Sequence, residues 1–289
     1  MSQEFHSSAD LDQRTFNQQF VFDYVTYEDD LPAGQRWSTW LDVEPLSRGP
    51  EPRPSWVVTS QGAIDTELGI LKTGKEADVF LIDRTDRQDP TQSVVMAAKR
   101  YRSPEHRSFQ RSAVYTEGRS MRRSRDERAL QRKSAFGREV AAAEWAASEW
   151  SALHRCWVLG LPVPYPVQVD GTEILMEWIV DREGDSAPRL AQTRPAVPVL
   201  ASYFEQARDA LMTLVQAGLV HGDLSPYNIL VADDRLVIID LPQLVDLAGN
   251  HQGFDFLLRD CTNLCSWFGR RGLEVDAQEL FGELMAHAF

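Results

Sequence analysis

Four side chains within residues 221–240 could do chemistry together: His221, Asp223, Asn228 and Asp240. Phosphoryl transfer from a nucleoside triphosphate needs oxygen ligands for a metal ion on one side. On the other it needs a group that orients the attacking hydroxyl or water. Asp223 suits the second role. Asn228, five residues on, offers an amide oxygen and Asp240 a carboxylate. That pair suits Mg2+, a hard cation held by one or two carboxylates plus phosphate oxygens, with Mn2+ as the alternative. A surface turn followed by a buried hairpin would explain a lone His-x-Asp match, but not all four positions with a hairpin between them.

The neighbouring segments have patterns that would hold these groups in place. Ala210 to Val220 is apolar and reads as a helix ending at Gly218, which delivers the chain into the loop. Ile229-Leu230-Val231 and Leu236-Val237-Ile238-Ile239 flank Ala232-Asp233-Asp234-Arg235 and predict a hairpin. Such a hairpin returns Asp240 to the end where Asn228 lies. Upstream, Leu68 to Leu81 reads as strand, tight turn, strand. Gly74 would let backbone amides approach phosphate, with Thr73 and Lys75 adding donors. This turn is not a Gly-x-Gly-x-x-Gly loop.

A second apolar strand, Val94 to Ala98, ends in Lys99, where an ammonium could reach the α- and β-phosphates. That ammonium calls for a carboxylate on a helix. Arg138 to Cys156 has helical spacing, with Trp145, Glu149 and Leu153 on one face. Glu149 is the expected partner and Glu144 the runner-up, since Glu139 and Glu144 suit the solvent side. Gly171 to Ile179 then predicts a strand running into a hinge. Backbone groups of Glu177 to Ile179 would meet an adenine edge, and Met176 would line the pocket behind it.

With these residues in place the sequence resembles the RIO family of atypical serine/threonine protein kinases, of the bacterial type. Three blocks carry the likeness: Thr73-Gly74-Lys75-Glu76-Ala77-Asp78-Val79, His221-Gly222-Asp223-Leu224-Ser225-Pro226-Tyr227-Asn228, and Ile238-Ile239-Asp240-Leu241-Pro242-Gln243. Phe254 to Leu264 also looks like the helix that closes the family's C-terminal lobe. Gly222 and Ser225 stand where the family departs from the His-Arg-Asp-x-Lys pattern of ordinary kinases.

The resemblance implies an α+β, protein-kinase-like two-lobe fold, with a strand-rich N-lobe built around one main helix and a reduced helical C-lobe. It implies Asp223, Lys99 and Glu149 as catalytic residues, and Asn228 and Asp240 as metal ligands. Thr73, Gly74, Lys75, Glu76, Lys99, Met176, Glu177 and Ile179 would bind ATP. Some family members act as ATPases through a phosphoaspartate, here Asp240. Leu241-Pro242 replaces the Phe-Gly of ordinary kinases, so their mobile switch is not expected. The 49 residues after Asp240 are few for an activation loop, an Ala-Pro-Glu anchor and further helices. They are also few for the helical substrate subdomain of aminoglycoside and choline kinases, the competing small-molecule phosphotransferases. A nucleotide-switched assembly factor with slow ATPase activity would keep the same residues.

Charge is distributed unevenly. Residues 100–138 hold eleven arginines and one lysine against four acids, a balance of +8 in a chain of net charge −13. Such a basic segment on an acidic body suits RNA or a ribosomal particle. It equally suits a solvated loop drawn to the protein's own acidic surface, or a target of autophosphorylation at its interleaved serines. The resemblance implies a protein, or the chain itself, as the acceptor. No run approaches the ~18 apolar residues of a membrane span, so no membrane partner is expected. The first residues lack the plan of a signal peptide and the three cysteines form no zinc pattern, which suggests a cytoplasmic enzyme. Expected divisions are a polar, disordered 1–20 and an aromatic, proline-rich extension 21–65 packing on the N-lobe. The N-lobe would span 66–179, with a flexible insertion at 103–135, and the C-lobe 180–289.

Overall fold

The structure, a computed structural model, describes residues 31–102, 135–241 and 244–288, with the backbone alone for 135–139. The chain divides between Ala33 and Gly34, and the described elements all belong to Gly34–Phe289. The N-lobe is an antiparallel sheet of six strands: β1 (Gln35–Trp37), β2 (Ala63–Thr73), β3 (Ala77–Asp86), β4 (Ser93–Tyr101), β5 (Pro166–Asp170) and β6 (Glu173–Glu177). Their order across the sheet is β1-β2-β3-β4-β6-β5. Helix α1 (Ala135–Val158) packs on one face. Ala142, Ala146 and Trp150 of that helix meet Ala77, Tyr101 and Ile174 of the sheet.

The register fixes which side chains share that face. Lys99 pairs with Val79 and Ile174, and Ala97 with Leu81 and Met176. With side chains alternating, Lys99, Tyr101, Ile174 and Met176 stand on the helix side. The opposite face carries Ile82, Met96, Ala98 and Leu175, packed with Trp40, Tyr165 and Val167. Residues 34–58, the proline-rich stretch, therefore supply the edge strand β1 and the apolar cover of the outer face. Tyr165 donates its hydroxyl to the Pro50 carbonyl at 2.9 Å, and Trp150 its indole N–H to the Leu46 carbonyl at 3.1 Å.

Charges also cross this outer face. Arg84 is fully buried, with Nε and Nη2 at 2.6 and 2.9 Å from the two oxygens of Asp65, and Nη1 at 2.9 Å from Gln168. A buried guanidinium is tolerable only with its donors satisfied in this way.

The C-lobe is built from helices α2 (Val197–Gln216), α3 (Gly253–Gly269) and α4 (Ala277–Met285) around two small two-stranded sheets. One pairs β7 (Leu219–Val220) with β10 (Val245–Asp246); the other is the hairpin β8 (Ile229–Ala232) and β9 (Arg235–Ile238). Ala232 pairs with Arg235, so Asp233 and Asp234 form a two-residue turn. Asp233 adopts φ +59, a conformation that Asp accepts more readily than most residues. Leu200, Leu211, Leu214, Ile229, Leu257 and Phe268 are fully buried in the shared core.

Candidate active site

Lys99 joins three elements. Its Nζ lies 2.6 Å from Glu149 Oε1 on α1 and 3.0 Å from Asp240 Oδ1, just beyond β9. Tyr101, two residues along the same face of β4, donates its hydroxyl to the other oxygen of Glu149. Only 4% of the Glu149 side chain is exposed, so helical spacing has placed the inward-facing carboxylate here, while Glu144 faces solvent. Burial pushes the Glu149 pKa upward, with the Lys99 ammonium working against that penalty. For Lys99 burial opposes the charge, but Glu149 and Asp240 outweigh it and the pKa rises. For Asp240 burial again opposes the charge, and Lys99 outweighs it, so the carboxyl is held below its usual range.

The β2–β3 turn sits at the same end of the sheet. Gly74 N–H donates to the Ala77 carbonyl at 2.9 Å, closing the turn around Lys75 and Glu76. A Cβ on Gly74 would meet the Ala77 oxygen at 2.6 Å, so only glycine fits. The turn is fastened from below: Arg102 Nε lies 2.6 Å from Asp78 Oδ2, and the Arg102 amide donates to the Glu76 carbonyl at 2.9 Å. Arg102 chiefly, then Thr73 and the Gly74 backbone, hold the Asp78 carboxyl below its usual range.

Beyond β6 the chain bends into the segment expected to meet adenine. Glu177 N–H donates to the Tyr165 carbonyl, and the Ile179 carbonyl accepts from Ala187 N–H at 3.0 Å. Met176, on the Lys99 face, packs against the cores of both lobes.

Below this lies the loop that follows β7. Gly222 adopts φ +82, which turns the chain sharply between buried His221 and exposed Asp223. Asn228 Nδ2 donates to the Asp223 carbonyl at 2.9 Å, and the Asn228 carbonyl accepts from Ile239 N–H at 2.9 Å. These bonds bring Asn228 beside the residue preceding Asp240. Asp240 itself has φ +66, the same left-handed region that Asp233 occupies at the hairpin turn. Burial pulls the His221 pKa down to about 4, so the ring is neutral at physiological pH.

Helix α3 supplies supports that motif reading did not identify. Asp260, fully buried, accepts the backbone N–H groups of Gly222 and Leu224, each at 2.8 Å. Asn263 Nδ2 donates to the Leu224 carbonyl at 3.1 Å, and Arg259 donates to the Gly222 carbonyl. Burial raises the Asp260 pKa to about 7, with the two amides opposing it. The available signal was a pair of polar residues, Asp260 and Asn263, one turn apart within an apolar helix.

The basic segment singled out by charge lies outside the described residues over 103–134, as do Pro242, Gln243 and the N-terminal 30 residues. Among the described residues no helix is long and apolar enough to cross a membrane.

A RIO domain family profile matches residues 78–280. The chain is 35% identical over 224 residues to the RIO-type serine/threonine-protein kinase Rio1 of Haloferax volcanii, covering 78% of this chain and 70% of that protein. It is 30% identical over 216 residues to the Rio1 of Methanocaldococcus jannaschii, covering 74% and 67%. Against the serine/threonine-protein kinase RIO1 of Caenorhabditis elegans it is 31% identical over 211 residues, 72% of this chain but only 38% of that protein.

Proposed function

We propose that this chain, which belongs to the RIO family, transfers the γ-phosphate of ATP to a serine or threonine hydroxyl on a protein or on itself. The observation that carries this reading is Lys99, held at 2.6 Å from Glu149 and 3.0 Å from Asp240. One cation thereby links the strand, helix and metal segment that a nucleotide's phosphates would occupy together. Glu149 and Tyr101 position Lys99 for the α- and β-phosphates, and the Gly74–Glu76 turn covers them. We assign the Glu177 carbonyl and the Ile179 amide to an adenine edge, the Glu177 amide and the Ile179 carbonyl being bonded to Tyr165 and Ala187.

Asp223 orients the acceptor hydroxyl and takes its proton as the oxygen bonds to the γ-phosphorus. The bond from that phosphorus to the β,γ-bridging oxygen breaks, and ADP leaves. Asn228 and Asp240 fit a divalent metal, and we assign Mg2+. Asn228 commits its Nδ2 to Asp223, which leaves its amide oxygen as the donor. Among the described residues no three His, Cys, Asp or Glu side chains could hold an ion by themselves, which suits a metal arriving with ATP. When bound, the metal neutralises charge on the phosphates.

Labelled ATP with the purified chain tests the reading. Acid-stable label identifies Ser/Thr transfer, and hydroxylamine-labile label would instead place the phosphate on Asp240. Asp223→Ala should keep nucleotide binding and lose roughly 10²–10⁴-fold in turnover. Unchanged turnover would remove Asp223 from the mechanism.

A further inference from the structure

Among the described residues several arginines meet carboxylates. Arg36 and Arg100 share Glu173, Arg102 meets Asp78, and Arg182 meets Asp233 and Asp234. Arg194, Arg270 and Arg271 do not follow that pattern. The Arg271 guanidinium lies over the Trp267 ring at 3.7 Å and reaches the carbonyls of Ala191 and Thr193 at 3.4 and 3.5 Å. Arg194 follows Thr193 directly and Arg270 precedes Arg271, so three guanidinium-bearing residues converge on one edge of the C-lobe.

Arg194 and Arg270 are exposed and Arg271 half-buried. Among the described residues no ion pair links any of the three to a carboxylate. Arg271 Nε is buried with no hydrogen-bond partner. Burial first, then the positive charges of Arg194 and Arg270, depress the Arg271 pKa, with Tyr227 opposing. An anion would complete this arrangement.

The edge is attached to the catalytic loop. Ala191 N–H donates to the Pro226 carbonyl at 2.9 Å. The next residue, Tyr227, is 63% exposed, and Asn228 beyond it is bonded to the Asp223 carbonyl. We propose that Arg194, Arg270, Arg271 and Tyr227 form the docking surface for an acidic stretch of the acceptor polypeptide, whose neighbouring serine or threonine reaches Asp223. The assignment rests on the kinase reading above and names the class of acceptor. Guanidinium forks match carboxylates in two-point contacts. Tyr227 offers one exposed ring, whereas sequence-tolerant binding of single-stranded nucleic acid stacks successive bases on several.

The test uses the full chain and the double variant R194E/R270E, both positions being exposed and outside the catalytic groups. Two labelled serine peptides differ only in carrying four aspartates or four asparagines after the serine. Anisotropy should show the acidic peptide binding the native chain about tenfold more tightly, the combined worth of three surface charge contacts. The same preference should appear in KM and not in kcat, fall with added salt, and vanish in the variant. ATP turnover without peptide should be equal in the two proteins. Equal binding of both peptides by the native chain, or a preference that survives in the variant, overturns the proposal. Single-stranded RNA bound by the native chain and released by the variant, with no acidic-peptide preference, would reassign the edge to nucleic acid and also overturn it. An acidic-peptide preference in a chain with no turnover at all would uphold the surface and refute the kinase reading instead.

Discussion

Asp260→Asn should change how stability depends on pH, by an amount the site itself sets. Asp260 is buried and its pKa stands at about 7, against 3.8 for an aspartate in water. The folded chain therefore keeps a proton that the unfolded chain releases, and stability falls as pH rises between those values. At 1.36 kcal/mol per pH unit the full window is worth about 4 kcal/mol. His221, in the loop that Asp260 anchors, has the opposite sign. Its pKa is depressed from 6.5 to about 4, so its contribution is complete above 6.5 and is lost as pH falls to 4. Over that interval the folded chain has a protonated Asp260 and a neutral His221, while the unfolded chain has both groups charged. Their proton counts match and the two slopes cancel.

Asparagine removes one slope and leaves the other. Urea unfolding at about pH 4.5 and 6.5 should show the native chain's advantage over the variant shrinking by about 3 kcal/mol toward the higher pH. Groups common to both proteins drop out of that difference. A gap that does not move with pH would mean that Asp260 is ionised in the fold, and the burial argument would be wrong.

Three further expectations can be checked, two from geometry and one from charge. Lys99→Met leaves buried Glu149 facing Tyr101 without its cation, and should cost about 3 kcal/mol by urea unfolding; K99M/E149L should recover part of the loss. Arg84→Met strands Asp65 and Gln168 on the outer face and should cost about 3–5 kcal/mol. Turnover by the folded fraction should be unchanged, since this cluster stands on the face of the sheet opposite Lys99. Deleting residues 103–135 should leave ATP binding intact and weaken any RNA binding, with a smaller salt dependence; an unchanged salt slope would rule out the basic segment as the contact.

The sequence was most readable where chemistry restricts residue type within a short span. The Asp223–Asn228 spacing and the hairpin leading to Asp240 leave a local pattern, and so does the i, i+4 stacking that separates Glu149 from Glu144. Residues 34–58 have no such period. Their prolines and tryptophans gain a role only when Trp40 packs against Ile82, Met96 and Leu175, strands distant in the chain. Strand β5 was missed: Pro166 and a register shift interrupt its alternation, so it offers little periodicity.

Asp260 was hidden for a different reason. Its partners are backbone amides 38 and 36 residues away, and a backbone donor imposes no residue type on the position that carries it. The loop presenting Asp223 is thus held by bonds that leave no motif in the loop itself. The Lys99–Asp240 contact is a further case: the two residues are 141 positions apart, and each element could be assigned correctly without implying that the ammonium reaches across to the Asp240 carboxylate. That contact has a consequence for nucleotide entry. If a metal sits at Asp240 and phosphates at Lys99, as proposed above, each would need a charge that the other residue neutralises, so binding would exchange one ion pair for two. On that reading the energetic cost of opening this bridge would be partly returned by the ligands that open it.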